Sequence, residues 1–281
     1  LSTHSTKLVA GFAGYVSGGA LIVCAILGSV VSASVLGGQI WRDDRRVFKA
    51  SICREKMIAG MKRYKNFAIY STWSSLLSTA SGQLPTFLLA YFFAPHVVGF
   101  YALGQQVLNM PMRFIGSAVG EVFFQKAAEA KNHGDLNRVV EGVFQRLVSL
   151  GIFPFLMLIL LGKDLFSFAF GSRWAESGVY IQMLALYIFI VFIASPMSTL
   201  FAVLEAQKES LMFSAALFIF RAIALGAGGF SGNPRITIGL LSFVGVVGWT
   251  SICWWILSKA QVSLLQSLTI IIEHLLISFP F

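Results

Sequence analysis

Four long stretches of this chain contain no Asp, Glu, Lys or Arg, and they limit what it can fold into more than any other feature. Each is longer than the roughly 20 apolar residues that a membrane-spanning helix needs. They cover residues 8–41, 67–112, 177–204 and 236–258. The whole chain is 57% hydrophobic with a mean hydropathy of +0.78. Lipid is therefore the natural surrounding for most of its residues, and we predict an integral membrane protein.

The pattern within these stretches predicts helices. Apolar residues come in unbroken blocks, without the alternation that is typical of a lipid-facing barrel strand. Because a backbone in hydrocarbon must satisfy its own hydrogen bonds, we predict an all-α, polytopic helix bundle. The three cysteines, Cys24, Cys53 and Cys253, have neither CxxC nor Cys/His spacing. We therefore predict no disulfide framework, no metal site and no cofactor.

Charge is concentrated in one short segment of the chain. Of 21 Lys and Arg and 12 Asp and Glu in total, nine basic and three acidic residues fall within 42–66. Short loops rich in Lys and Arg remain in the cytoplasm, so we predict that 42–66 is a basic cytoplasmic linker. Its expected partners are anionic lipid headgroups, and no nucleic acid is expected.

The charge pattern also divides the chain into parts. Residues 1–41 are predicted to hold a truncated helix and one full span, the end of an N-terminal transmembrane lobe, and we interpret the chain as a fragment. Residues 67–258 form a predicted six-helix C-terminal lobe, which leaves about 15 Lys and Arg on the cytoplasmic side against three outside. The tail, 259–281, is expected to be interfacial or a partial span. The six helices are predicted at 67–94, 98–125, 139–162, 179–204, 211–230 and 236–258.

Arg221 is the residue least expected in such a lobe. It lies ten residues from one predicted helix end and nine from the other, about 14 Å from each. A central Arg costs about 2.5 to 3.5 kcal/mol on insertion scales, so it should face a polar cavity or a partner. Ser210, Ser214 and Gly228 share its face and leave room for water or a ligand. The alternative is a structural role, pairing with backbone carbonyls at a kink.

The predicted helix 98–125 carries a polar stripe. At 100° per residue, six side chains fall within about 60° of one line; these are Gln106, Asn109, Arg113, Ser117, Gly120 and Glu121. The stripe predicts a hydrated face, and the alternative is hydrogen bonding to neighbouring helices. Glu121 is the candidate carboxylate for proton or ion coupling. The serines of helix 67–94, by contrast, are interpreted as a packing surface; they are Ser71, Ser74, Ser78 and Ser81.

Several motifs indicate a family. The sequences QLP, VGFYALGQQVL, PMRFIG and FGSRWAESG lie within a stretch, from about residue 19 to residue 257, that resembles Wzx-type polysaccharide biosynthesis proteins. These are flippases of the multidrug/oligosaccharidyl-lipid/polysaccharide (MATE-like) exporter superfamily. The resemblance implies two six-helix lobes about a central cavity, of which this chain holds the end of the first and all of the second.

Residues and resemblance together predict a flippase in the cell inner (cytoplasmic) membrane that exports polyprenyl-diphosphate-linked oligosaccharide for surface polysaccharide. Arg113 and Arg221 would attract the diphosphate. Sugar or water would contact the remaining predicted site residues, which are Gln106, Asn109, Ser117 and Ser214. Membrane lipids and other polysaccharide assembly proteins are the further expected partners.

Three alternatives stay open. A multidrug cation antiporter on the same scaffold would want carboxylates in its cavity. A membrane polymerase or ligase acting on lipid-linked sugars would need a large external loop. A non-transporting membrane scaffold would tolerate the loss of Arg221. Since no catalytic motif is present, no enzyme activity is predicted.

Overall fold

A computed structural model describes residues 54–262 and the isolated positions 30, 31, 34, 35, 38 and 269. Within this range, the side chains before Ile69 and those of Pro111, Arg113 and Phe114 lie outside the described part. The chain divides into two compact units, Leu1–Lys65 and Asn66–Phe281. The site described below belongs to the second unit. The predicted spans of 1–41, the first half of the linker and most of the tail lie outside the described residues.

The described residues form helices and no strands. The six long helices are α1 (Arg54–Phe92), α2 (Pro95–His133), α3 (Leu136–Phe170), α4 (Ala175–Met197), α6 (Gln207–Phe230) and α7 (Pro234–Lys259). Two short elements connect them: a 3₁₀ turn at Ser172–Trp174, and α5 at Leu200–Val203. The prediction of an all-α polytopic bundle is confirmed.

Local sequence signals set several helix ends. Pro95 and Pro234 occupy the first turns of α2 and α7, where no backbone N–H is needed. The Asn233 side chain accepts a bond from the backbone N–H of Arg235 at the start of α7. Gly134 ends α2 in the left-handed region, with φ of 81°, and its N–H donates to the Ala130 carbonyl.

Several predicted helix boundaries differ from the structure by seven residues or more. The outward loop expected between 162 and 178 is mostly helix, because α3 continues through Lys163 and Asp164 to Phe170. Both charged side chains are exposed, so the backbone keeps its helical hydrogen bonds at little cost. The helix expected to begin at Phe67 instead begins at Arg54.

Four helical segments of the described part are long and apolar enough to cross a membrane, and they are Leu136–Phe170, Ser172–Val203, Gln207–Phe230 and Pro234–Lys259. The protein is thus a multi-pass membrane protein. Helices α1 and α2 are longer, at 39 residues each, but polar side chains interrupt their apolar runs. That six helices of 67–258 all span stays a prediction.

The core is centred on α3 and α4. Leu147, Leu184 and Ile188 are among its buried side chains. A methyl group on Gly178 of α4 would overlap the carbonyl oxygen of Gly162 in α3, so the two backbones meet directly. This is the small-residue packing that membrane helices use where no hydrophobic force drives them together.

Candidate functional site

Arg221 lies at the centre of the candidate site, midway along α6 and only 7% exposed. Its Nη1 donates to Ser81 Oγ of α1 at 2.9 Å, and its Nη2 donates to Tyr187 Oη of α4 at 2.6 Å. The guanidinium carbon also lies 5.5 Å from the centre of the Tyr187 ring. One cation therefore joins three helices through two hydroxyl groups, in addition to a longer approach of 3.4 Å to the Ser81 carbonyl.

The Arg221 side chain is incompletely paired. Its Nε is buried and has no hydrogen-bond partner in the structure, and the same holds for the indole Nε1 of Trp249 in α7. An unpaired buried donor costs about 1 to 3 kcal/mol, and more when it is charged. Because both residues line one cavity, water or a ligand held there can supply acceptors.

That cavity, here called the serine cavity, encloses about 380 Å³ between α1, α6 and α7. Most of its lining residues carry hydroxyl groups, and Arg221 and Trp249 also line it. The hydroxyl residues are Ser74, Ser75, Ser78, Thr79, Ser81, Ser198, Ser210 and Ser214. Ser74 Oγ hydrogen-bonds with Ser210 Oγ at 3.0 Å and with Ser214 Oγ at 2.9 Å. The α1 serines, interpreted from sequence as packing surface, therefore line a polar cavity as well as joining helices.

A second cavity, the amide cavity, lies on the other side of Arg221 and encloses about 370 Å³. Its lining includes Gln83, Gln105, Asn109, Tyr101 and Tyr187. Asn109 Nδ2 donates to Gln105 Oε1 at 3.2 Å, and Gln105 Nε2 donates to Tyr101 Oη at 2.9 Å. Arg221 and Tyr187 border this cavity together, so the same guanidinium faces two polar spaces.

The polar stripe of α2 does not converge on one site. Ser117 and Glu121 line a third cavity of about 570 Å³ with Ser195 and Thr199, whereas Asn109 lines the amide cavity. Because Asn109 and Glu121 are twelve residues apart, they are separated by about 18 Å along the helix. One small cavity cannot hold both.

The predicted site residues are therefore distributed over several cavities. Arg221 lines the serine cavity together with Ser214 and the amide cavity together with Asn109. Gln106 is exposed and borders none of the three cavities. The side chain of Arg113 lies outside the described residues.

Three residues of the two cavities that Arg221 borders were not predicted from the sequence: Tyr187, Trp249 and Gln105. Tyr187 and Trp249 stand in long apolar runs, where an aromatic residue is more often packing than part of a site. Gln105 is adjacent to the predicted Gln106 but about 100° away around the helix. Only the pairing of helices brings these side chains to the cavities.

The chemistry of the two cavities around Arg221 favours an acceptor-rich ligand. Their linings combine one guanidinium, an indole N–H, hydroxyls and amides, and neither includes Asp or Glu among the residues that the structure describes. Such a surface can replace the water around phosphate or sugar oxygens. Within the described residues, no group of His, Cys, Asp or Glu could hold a metal ion.

Comparison with known proteins gives three findings. Residues 8–179 match the sequence profile of a family described as polysaccharide biosynthesis protein. The teichuronic acid biosynthesis protein TuaB of Bacillus subtilis (strain 168) is 23% identical over 185 residues, which cover 62% of this chain and 38% of that protein. The structure of lipid II flippase MurJ, in an inward closed conformation, is similar in fold with a TM-score of 0.57 at 12% identity.

The similarity to MurJ covers 99% of this chain and 58% of that structure. The chain thus spans less than two thirds of the length of either relative. At this level of identity, the likeness to MurJ concerns the fold.

Proposed function

The chain belongs to the polysaccharide biosynthesis protein family, and from that premise we propose that it is part of a flippase for polyprenyl-diphosphate-linked oligosaccharide. The flippase would move this precursor across the cytoplasmic (inner) membrane for surface polysaccharide biosynthesis. The family match and a fold like that of a lipid flippase support a transporter acting on a lipid-linked substrate.

The cargo poses a solvation problem that the cavities around Arg221 can address. A diphosphate-linked sugar has an anionic head with many hydroxyls, which hydrocarbon rejects, and an apolar tail, which hydrocarbon accepts. A polar cavity inside a helix bundle replaces the water around the head while the tail remains in lipid. Separate cavities of about 380 and 370 Å³ provide such spaces on either side of Arg221.

The observation that carries the proposal is the incomplete pairing of Arg221. Its Nε and the Nε1 of Trp249 are buried donors without acceptors, and both residues border the serine cavity. In the proposed function, a phosphate oxygen supplies the missing acceptor. Ser214 and Asn109 then contact sugar hydroxyls or water on the two sides of Arg221.

The remaining residues keep their sequence-based roles as predictions. Arg113 would attract the diphosphate, and Gln106 and Ser117 would contact sugar or water. Glu121, exposed beside Ser117, would couple transport to an ion. Residues 67–258 would form one lobe, and rocking of this lobe against a second would expose the site to one side of the membrane at a time.

The direct test is a flipping assay with the full chain reconstituted in vesicles. A fluorescent polyprenyl-diphosphate sugar and a leaflet-specific quencher would report transfer between leaflets. We expect Arg221→Ala to lower the rate by about ten-fold or more, because a charge-assisted contact is lost. Arg221→Lys should retain part of the rate, since it keeps the charge and loses the planar fork.

Arg235→Ala is the matched control. Arg235 is exposed and pairs with Glu176 at 2.8 Å, outside both cavities that Arg221 borders. Its loss should leave flipping close to the wild-type rate. Wild-type flipping by Arg221→Ala, at equal protein incorporation, would refute the proposal.

A further inference from the structure

A fourth cavity lies between α2 and α3 and shares no lining residue with those around Arg221. It encloses about 300 Å³, and we call it the α2/α3 groove. Its lining consists of two cations and seven apolar residues, namely Lys126 and Arg146 with Ala118, Val119, Val122, Phe123, Val143, Leu147 and Leu150. Among the described residues, no acidic side chain contributes to it.

The two cations lie toward one end of the groove. Lys126 precedes the end of α2 at His133 by seven residues, and Arg146 follows the start of α3 at Leu136 by ten. They therefore lie about 10 and 15 Å from the turn that joins the two helices. Most of the apolar lining is farther from this turn, so the groove is polar at one end and apolar beyond it.

Neither cation is neutralised by the described part of the chain. Lys126 and Arg146 are both exposed, and within residues 54–262 the structure gives neither side chain an ion pair or hydrogen bond. Cations on a membrane helix attract anionic lipid, whose phosphate lies at the level of the membrane interface. Their long apolar stems can lie along the groove while the charged ends remain at that level.

The apolar part of the groove is partly exposed. Val122 and Leu150 line it and are each 53% exposed, and Phe153 continues the exposed surface at 58%. An acyl chain bound in the groove would bury these apolar side chains, whereas a free phosphate would leave them exposed.

We propose that the α2/α3 groove binds an anionic glycerophospholipid. The phosphate contacts Lys126 and Arg146, and one acyl chain follows the groove over Val122 and Leu150. The site is distinct from the proposed cargo site, because none of its residues lines the serine or the amide cavity. The basic flank from 126 to 146 is predicted to be cytoplasmic, which places the groove in the leaflet where anionic lipid gathers.

Native mass spectrometry of the purified full chain tests this directly. The protein would be titrated with dioleoylphosphatidylglycerol and, separately, with dioleoylphosphatidylcholine. We expect Lys126→Ala/Arg146→Ala to weaken phosphatidylglycerol binding by at least about ten-fold. The exposed pair Arg138→Ala/Lys208→Ala, which removes the same charge outside the groove, should change it by less than about two-fold.

Two further arms identify the ligand. Val122→Trp keeps both cations but fills the acyl path, and should also weaken phosphatidylglycerol binding. Glycerol 3-phosphate, which has the anion without the tail, should not compete. Competition by glycerol 3-phosphate, equal losses in the control pair, or unchanged binding in the groove pair would each overturn the proposal.

Discussion

The α3/α4 contact and the α1/α6 contact join helices of the same unit in opposite ways. In the first, backbones meet at Gly162 and Gly178. Gln182 Nε2 of α4 adds hydrogen bonds to this contact by donating to the carbonyl oxygens of Ile159 and Leu160 in α3, each at 3.1 Å. Little space remains between these helices, and most of the buried side chains around them are apolar, with Ser177 as a buried polar one.

The α1/α6 contact is made largely by side chains that reach across a cavity. Ser74 hydrogen-bonds with Ser210 and Ser214, and Ser81 accepts from Arg221. The bonds are polar, and the cavity beside them is large enough for several water molecules or part of a ligand.

One unit thus combines a rigid helix contact with one that leaves room for a ligand. Close packing of small residues fixes α3 against α4, because interiors do not deform continuously. Hydroxyl contacts across a cavity can be exchanged for contacts with water or a ligand, so the α1/α6 side is the one suited to admit a ligand. Three substitutions test this contrast.

The largest effect is expected for Gly178→Ala in the tightly packed contact. The added methyl would overlap backbone atoms of Gly162 and Lys163, which cannot rotate away. We expect the free energy of unfolding to fall by about 3 kcal/mol, the upper end for overpacking. Unfolding in detergent would measure it.

Gly142→Ala is the control for that substitution. A Cβ at Gly142, in α3, meets no atom within 4 Å. Since Ala is the better helix former, we expect a gain of about 0.5 to 1 kcal/mol. If Gly178→Ala and Gly142→Ala lowered the free energy of unfolding equally, a direct backbone contact between α3 and α4 would be contradicted.

An intermediate effect is expected for Ser81→Ala. The hydroxyl of Ser81 is buried and accepts from Arg221 Nη1 at 2.9 Å, so its removal leaves a buried charged donor short of an acceptor. The expected loss in the free energy of unfolding is about 1 to 3 kcal/mol. Ser78→Ala provides the comparison, because Ser78 lines the same cavity without a hydrogen bond in the structure. A similar loss from Ser78→Ala would contradict this account.

The smallest effect is expected for Ser74→Ala. It removes two hydroxyl contacts between α1 and α6, but Ser210 and Ser214 can then turn toward the cavity and bind water. Hydrogen bonds between membrane helices contribute about 0.6 kcal/mol on average. We expect the free energy of unfolding, measured by thermal unfolding, to fall by that amount. A loss as large as that of Gly178→Ala would mean that the polar contact is as rigid as the packed one.

The sequence predicts the helices well because their physical cause is local. Long uncharged apolar runs must be helical in lipid, and all six predicted helices of 67–258 have counterparts in the structure. The family expected from the sequence motifs is confirmed by the match over residues 8–179. Arg221 could be singled out for the same kind of reason, since the high cost of a buried cation is visible in a single helix.

The composition of the site could not be predicted in the same way. Tyr187 and Ser81 reach Arg221 from other helices, and a single sequence does not show which helix faces which. The predicted roles of the α2 stripe stay predictions. Its side chains lie on one line of a 39-residue helix but can be far apart along its axis. Helical periodicity predicts a shared face and says nothing about shared depth.

One guanidinium borders both the serine cavity and the amide cavity, and this arrangement constrains how the protein can diversify. A substitution of Arg221 alters both cavities at once, so the ligand preference of one cavity cannot be changed at Arg221 without affecting the other. Divergence toward a new ligand would instead have to proceed through the hydroxyls of the serine cavity or the amides of the amide cavity, around a fixed cation.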